Sequence, residues 1–308
     1  MDPLSDVLSL LKPRSYVSAG FDAGGDWSVR FSQQQNFIKC CTVVSGQCWL
    51  AVDGVPEPMH LTAGDCFVLG SGRTFRLASD LSLPAVESVA VFSSAQEGGV
   101  VTYNGGGGFF LGGSRFAVNG DHVGILLAML PPVVHLWKES DRAALRWAVE
   151  RMAQELRERQ PGNDLVVQQL AHMMLVQALR LYLSDEHGEQ AGWLGALADK
   201  QIGAAINAIH QDPAQRWTLA GLAGVAGMSR SIFAQKFKQK VGTPPMEYLT
   251  RWRMLLAADR LANSSAPIAR VALSLGYESE SAFGAAFKRV MGGSPRQYSL
   301  ERQAASLG

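Results

Sequence analysis

The chain has few of the residues from which metal sites are usually built. Its 308 residues include four cysteines and six histidines. Cys40, Cys41, Cys48 and Cys66 fall in one short stretch without a C-x-x-C pair, and the histidines (His60, His122, His135, His172, His187 and His210) are scattered. That spacing argues against a zinc site of the usual kind. No apolar run approaches the roughly 18 residues of a membrane span. The opening Met1-Asp2-Pro3-Leu4-Ser5-Asp6 is acidic, with neither the basic lead nor the apolar core of a secretion signal. A cytoplasmic protein with no membrane partner is therefore expected. The glycine run Gly105 to Gly108 is not followed by Gly-Lys-Ser/Thr, which leaves a surface loop or flap rather than a phosphate cradle. Charged residues make up only 18% against 47% hydrophobic, an ordinary globular balance with room for about two domains.

What charge there is lies unevenly. Residues 199–302 carry 14 Lys and Arg against 7 Asp and Glu, a net of +7, while the remainder stands at −6. One end thus suits a polyanionic partner and the other does not. The first third reads as strands. Asn36 to Val44 is apolar and β-branched before Ser45-Gly46, and Cys48 to Val52 ends at Asp53-Gly54. Cys66 to Leu69 ends at Gly70-Ser71-Gly72, and Phe109 to Val118 follows the glycine run. Such spacing predicts an antiparallel barrel or sandwich. From about Leu136 the period changes to that of helices. Leu145, Val149, Met152 and Leu156 share one face, and Leu170, Met173, Met174, Gln177 and Leu181 mark a second helix that Asp164 is placed to cap. These stripes serve either core packing or a homodimer.

The C-terminal segment repeats itself. Leu219, Ala223, Gly227 and Met228 return forty-nine positions later as Ile268, Ala272, Gly276 and Tyr277. After a one-residue insertion, Phe233, Phe237, Lys238, Gly242, Pro245 and Tyr248 return as Phe283, Phe287, Lys288, Gly292, Pro295 and Tyr298. Each copy reads as helix, turn, helix. Gly227 or Gly276 supplies the positive φ that leaves the first helix. Ser229 or Ser279 caps the second, and the paired phenylalanines share its inward face. Met246 to Leu261, with Arg251, Arg253 and Arg260, reads as one rigid helix roughly 25 Å long.

Trp217 to Tyr298 resembles the DNA-binding domain of the AraC/XylS family of bacterial regulators. The resemblance is carried by Gly227-Met228-Ser229-Arg230-Ser231-Ile232-Phe233, by Arg253-Met254-Leu255-Leu256-Ala257-Ala258, by Ile268 to Ala272 and by Gly276 to Phe283. It implies base-facing positions at Ser231, Ala234 and Gln235 in the first unit and at Ser281, Gly284 and Ala285 in the second. Phosphate contacts then fall to Ser229, Arg230, Lys238, Ser279, Lys288 and Arg289. Gln235 can bond adenine in the bidentate way, whereas Gly284 and Ala285 offer no hydrogen bonds, so the first unit is expected to carry more of the specificity.

The first third resembles the cupin-like sensor domain often joined to that DNA-binding domain, through Asp2 to Leu8, Gly46 to Leu50, Leu61 to Asp65, Tyr103 to Gly108 and Leu130-Pro131-Pro132. Metal-dependent cupins use a His-x-His pair and a further histidine. Here Cys41 stands where such relatives often place a histidine, and Phe75 stands at the second histidine position. The fold expected is thus α+β: a cupin-like antiparallel β-barrel over residues 1–134, a helical, dimerising connector over 135–190, and an all-α double helix-turn-helix domain over 191–308. The function expected is a sequence-specific transcriptional regulator of promoter DNA, without cofactor, metal or catalytic residues. It would answer to a small molecule or reactive species and work with RNA polymerase if it activates. The alternative is a metal-dependent cupin enzyme with an appended helical domain. For the cysteines, core filling competes with a role as sensor thiols, which would need exposure and a low pKa.

Overall fold

The computed structural model describes residues 2–32, 36–70, 72–93, 99–118, 123–127, 129–158, 160–184, 192–264 and 266–306. Ser71, and the expected domain boundary at residues 190 and 191, lie outside them. Helix α1 (Pro3–Leu11) precedes β1 (Arg14–Ala23), β2 (Ser28–Phe31), β3 (Phe37–Ser45), β4 (Gln47–Val52), β5 (Met59–Thr62), β6 (Cys66–Leu69), β7 (Phe75–Ala78) and β8 (Val86–Glu87). Then come α2 (Ser88–Phe92), β9 (Val100–Tyr103), β10 (Phe109–Ala117), α3 (Val123–Leu127) and β11 (Val134–Leu136). Helices follow: α4 (Glu139–Glu158), α5 (Asn163–Ser184), α6 (Trp193–Ala198), α7 (Lys200–Gln211), α8 (Leu219–Val225) and α9 (Arg230–Val241). The last are α10 (Pro245–Asn263), α11 (Ile268–Leu273), α12 (Glu280–Met291) and α13 (Pro295–Ser306).

The chain forms two compact units. The strand-rich unit comprises residues 13–119 and 130–186. Its strands make two sheets, ordered β11-β6-β3-β10-β1-β9 and β5-β4-β7-β2-β8. The expected α+β class is present, but the barrel is two open sheets. The strands at their edges are only two to four residues long. Nor is every pairing antiparallel, since β9 joins β1 and β8 joins β2 in parallel. Side chains of both sheets share one core, with Phe31 stacked on Phe75 at 4.5 Å and Trp27 beside Phe109 at 4.9 Å.

Helices α4 and α5 pack on the other face of the first sheet. This is why β3 reads as a continuous apolar run, with Ile38, Cys40, Cys41, Thr42 and Val43 all buried. One ionic clasp fixes α4. Asp65, 2% exposed, accepts from Arg142 Nε at 3.0 Å and Nη2 at 2.6 Å and from the Thr62 N–H at 2.8 Å. Burial opposes that carboxylate's charge, yet His135, Thr62 and Arg142 together hold its pKa below the ordinary value. Helix α5 begins at Asn163, so Asp164 lies in its first turn rather than at its cap. The stripe residues Leu145, Met152, Leu156, Leu170 and Met174 are all buried inside this unit, and Met173 is exposed.

The helical unit comprises residues 1–12, 120–129 and 187–308. Helix α1 therefore belongs to it. A polar chain explains the attachment: the Trp193 indole N–H donates to the Tyr248 hydroxyl at 2.8 Å, which lies 2.8 Å from His210 Nε2. His210 Nδ1 in turn lies 3.2 Å from the Asp6 carboxylate of α1. Lys12 adds an ion pair with Asp259 of α10 at 2.7 Å. The sequence repeat is also a repeat in space. Phe233–Phe237 and Phe237–Tyr248 meet at 5.5 and 5.7 Å, and Phe283–Phe287 and Phe287–Tyr298 at 5.8 and 5.5 Å.

Candidate nucleic-acid interface

Each of α9 and α12 is begun by a serine cap and ended by a left-handed glycine. Ser229 Oγ accepts the Ile232 N–H at 3.4 Å and Ser279 Oγ accepts the Ala282 N–H at 3.2 Å. Gly242 and Gly292, at φ +85 and +83, close them. At Gly276 the turn admits nothing else, because φ is +79 and a Cβ there would meet the Ala214 carbonyl oxygen at 2.2 Å.

With the phenylalanines turned inward, the other face of each helix is left to solvent. Ser231, Gln235, Ser281 and Ala285 are exposed, and Ala234 and Gly284 are partly buried. The sequence-derived positions therefore fall on one open face per helix. Arg230, Lys238, Lys288 and Arg289 are exposed on these helices, and no carboxylate pairs with them among the described residues. Two other lysines of α9 behave differently. Lys236 and Lys240 turn back onto Asp199, 3.0 and 3.2 Å from its Oδ2. Asp199 also caps α7 through the N–H groups of Gln201 and Ile202, both at 3.0 Å. Burial works against its charge, but those N–H groups and the two ammonium groups hold the pKa at about 2.

The helix between the units runs longer than the spacing predicts, from Pro245 to Asn263. Its arginines are engaged internally: Arg251 with Glu247, Arg253 with the Pro213 and Gln215 carbonyls, Arg260 with Ser274. Arg216 also pairs with Glu278 across the two repeats. Part of the net +7 is thus engaged within the unit. Sequence reasoning missed Ile232, which is 58% exposed beside Ser231. An apolar residue left outside the phenylalanine period was the signal that could have found it.

A cupin model matches residues 2–184 and a helix-turn-helix domain model matches residues 222–301. An AraC-like transcription regulator of Streptomyces antibioticus is 45% identical over 300 residues, covering 97% of this chain and 98% of that one. The chain belongs to the AraC-like transcription regulators. The HTH-type transcriptional regulator MtrA of Neisseria gonorrhoeae is 28% identical, with 98% of this chain and 99% of that one covered. Among solved structures, the DNA-binding domain of AdpA in complex with a target DNA is 29% identical, with a TM-score of 0.33, over 35% of this chain and 96% of that one.

As an AraC-like regulator with a cupin domain, the chain raises the question of a resident metal. The residues do not fit one. Cys41 and Phe75 are 0% and 1% exposed within the core shared by the two sheets. No group of three His, Cys, Asp or Glu among the described residues could hold an ion. The four cysteines are buried and free. Burial pushes Cys41 and Cys48 up to about 12, and Cys40 is raised by its hydrogen bond with Cys66 and by burial, while that same bond lowers Cys66. Lys39, whose charge opposes the rise of Cys41, lies over the Phe31 ring at 3.8 Å, and Arg73 and Arg76 donate to the Asp53 carbonyl and to Ser28. All four thiols are thus buried, whereas a reactive sensor thiol needs exposure as well as a low pKa.

Proposed function

We propose that the chain regulates transcription by laying α9 and α12 on double-stranded promoter DNA, with α9 as the principal reader. The observation that carries this is the pair of equivalent open faces, each with cations that have no carboxylate partner among the described residues beside its base-facing positions. Ser231, Ala234 and Gln235 face bases in the first unit. Ser281, Gly284 and Ala285 do so in the second, where Ala285 offers only a methyl contact. Ser229, Arg230, Lys238, Ser279, Lys288 and Arg289 anchor phosphates. No catalytic role is assigned, in keeping with the regulators to which the chain is similar.

The division into a sensor over 1–134, a connector over 135–190 and a DNA-binding domain over 191–308 is part of the same reading, with residues 1–12 and 120–129 grouped with the helical unit. So is an unidentified small-molecule effector of the strand-rich unit, which changes how the DNA-binding unit is presented. The protein acts in the cytoplasm and meets RNA polymerase where it activates. A homodimer is supported by apolar residues left exposed on α4 and α5, namely Trp147 at 65%, Leu165 at 67% and Met173 at 45%.

Selection of duplexes from a random pool by the full chain tests the core of this reading. A defined motif should emerge, and log affinity for it should fall linearly with log salt as counterions are released. Recovery of no motif, or affinity independent of salt, would contradict it.

A further inference from the structure

The open face of α9 is polar but for one side chain. Its other exposed residues are Arg230, Ser231, Gln235, Lys238 and Gln239, and among them Ile232 is 58% exposed. A lone apolar residue on a surface is ordinary. What distinguishes Ile232 is where the fold holds it. The Ser229 hydroxyl caps the helix by taking the Ile232 N–H, so this residue belongs to the first turn of α9. Long side chains of a helix lean back toward its N-terminus, which carries the Ile232 alkyl group over the turn before it. That end of a recognition helix is the one whose side chains reach base edges.

The helical period sets its neighbours. At 3.6 residues per turn, Ser231 stands about 40° from Gln235 on one side and Ile232 about 60° from it on the other. The three make one strip, with Gln235 in the middle. Ile232 differs from the other two in what it can recognise, because an alkyl group makes no hydrogen bond. The apolar feature that a base edge presents in the major groove is the C5-methyl of thymine. The β-branch of isoleucine also holds χ1 in one rotamer within a helix, so little freedom is lost when the side chain is covered. In α12 the equivalent residue is Ala282, exposed like Ile232 but ending at Cβ.

We propose that Ile232 is a specificity residue that reads thymine, its side chain packing on the C5-methyl in a base pair next to the one that Gln235 contacts. The inference rests on the reading of α9 as a recognition helix and adds to it a fourth position that hydrogen-bonding capacity does not reveal. It also gives α9 a second means of discrimination, which α12 has only in the shortened form of Ala282.

The test uses a duplex selected by the full chain, with each thymine in turn replaced by deoxyuridine. That replacement keeps every hydrogen-bonding group of the base and removes only the methyl. For the parent chain, one replacement in each bound site should weaken binding by about fourfold, the worth of one buried methyl. Ile232→Ala should weaken the unmodified duplex by a similar factor and lose its sensitivity to that replacement, so that the two losses do not add. Its melting temperature should hold, because the side chain is already exposed. Binding that no deoxyuridine weakens, or a deoxyuridine loss that persists in Ile232→Ala, would overturn the inference while the DNA-binding reading stands. So would an Ile232→Ala chain that binds every duplex like the parent yet activates transcription poorly, since the side chain would then meet a protein partner. A parent chain that selects no duplex at all would overturn the reading of α9 itself, and this inference with it.

Discussion

Gln235 separates the two recognition helices in what they can read. The equivalent position in α12 is Ala285, and Gly284 stands one residue before it with nothing within 4 Å of a Cβ built there. Gly284→Ala should therefore raise stability by up to about 1 kcal/mol, the helix-propensity difference, with little change in base preference. Thermal unfolding and a binding titration check both halves. Asp199 offers the opposite case, a residue whose loss costs. Its folded pKa of about 2 lies below the ordinary 3.8, so its contribution is complete above about pH 4 and is lost as the pH falls toward 2. Asp199→Ala should destabilise by about 1–2 kcal/mol through the lost cap, seen in urea titrations at neutral pH, and the difference should shrink in acid. The caps Ser229 and Ser279 and the inward phenylalanines were legible in the sequence, because caps and helical period act within a few residues. Asp199 was not. Its lysine partners sit 37 and 41 residues later, and only the packing of α7 against α9 brings them together.

Helix α1 carries a comparable lesson. Its sequence opens with a capping Asp2, whose carboxylate accepts the Ser5 N–H, and with Pro3 in the first turn. Nothing local says that it belongs with the helical unit and not with the strands that follow. The bond between Asp6 and His210 decides it. Burial lowers the His210 pKa despite the nearby Asp6, so the folded state takes up its proton less readily than the unfolded state. A histidine with a lowered folded pKa stabilises the unit at neutral pH, and that stability declines as the pH falls below the unfolded value of about 6.5. His210→Gln should flatten this dependence between about pH 6.5 and 5 in denaturant titrations. An unchanged slope would mean that the histidine is not held neutral. The stripes of α4 and α5 show the complementary limit. Period tells which side chains share a face, but not whether that face meets a sheet of its own chain or a second copy. Leu145, Met152 and Leu170 proved to be core.

For the molecule as a whole, the open question is what meets the apolar residues that remain outside. Trp147→Asp removes the largest exposed apolar side chain of α4 without touching the buried stripe. Sedimentation should show a dimer for the parent chain and a monomer for the variant, with the melting temperature nearly unchanged. A parent chain that is itself monomeric at micromolar concentration contradicts the dimer. A β-rich first third was readable from strand spacing and its cupin likeness from resemblance, whereas the open sheets were not, because closure depends on edge-strand length and register rather than on local composition. The assignment of reading to α9 and anchoring to exposed cations is tested most directly by one set of titrations. It compares the full chain, Gln235→Ala and Lys288→Ala on a randomised duplex library at several salt concentrations. Gln235→Ala should relax preference at one or two base pairs by about tenfold, with the salt slope unchanged. Lys288→Ala should weaken all sequences alike and lower the slope by about one unit. Base preference that survives Gln235→Ala yet vanishes on substitution of Ser281 or Ala285 would contradict this account.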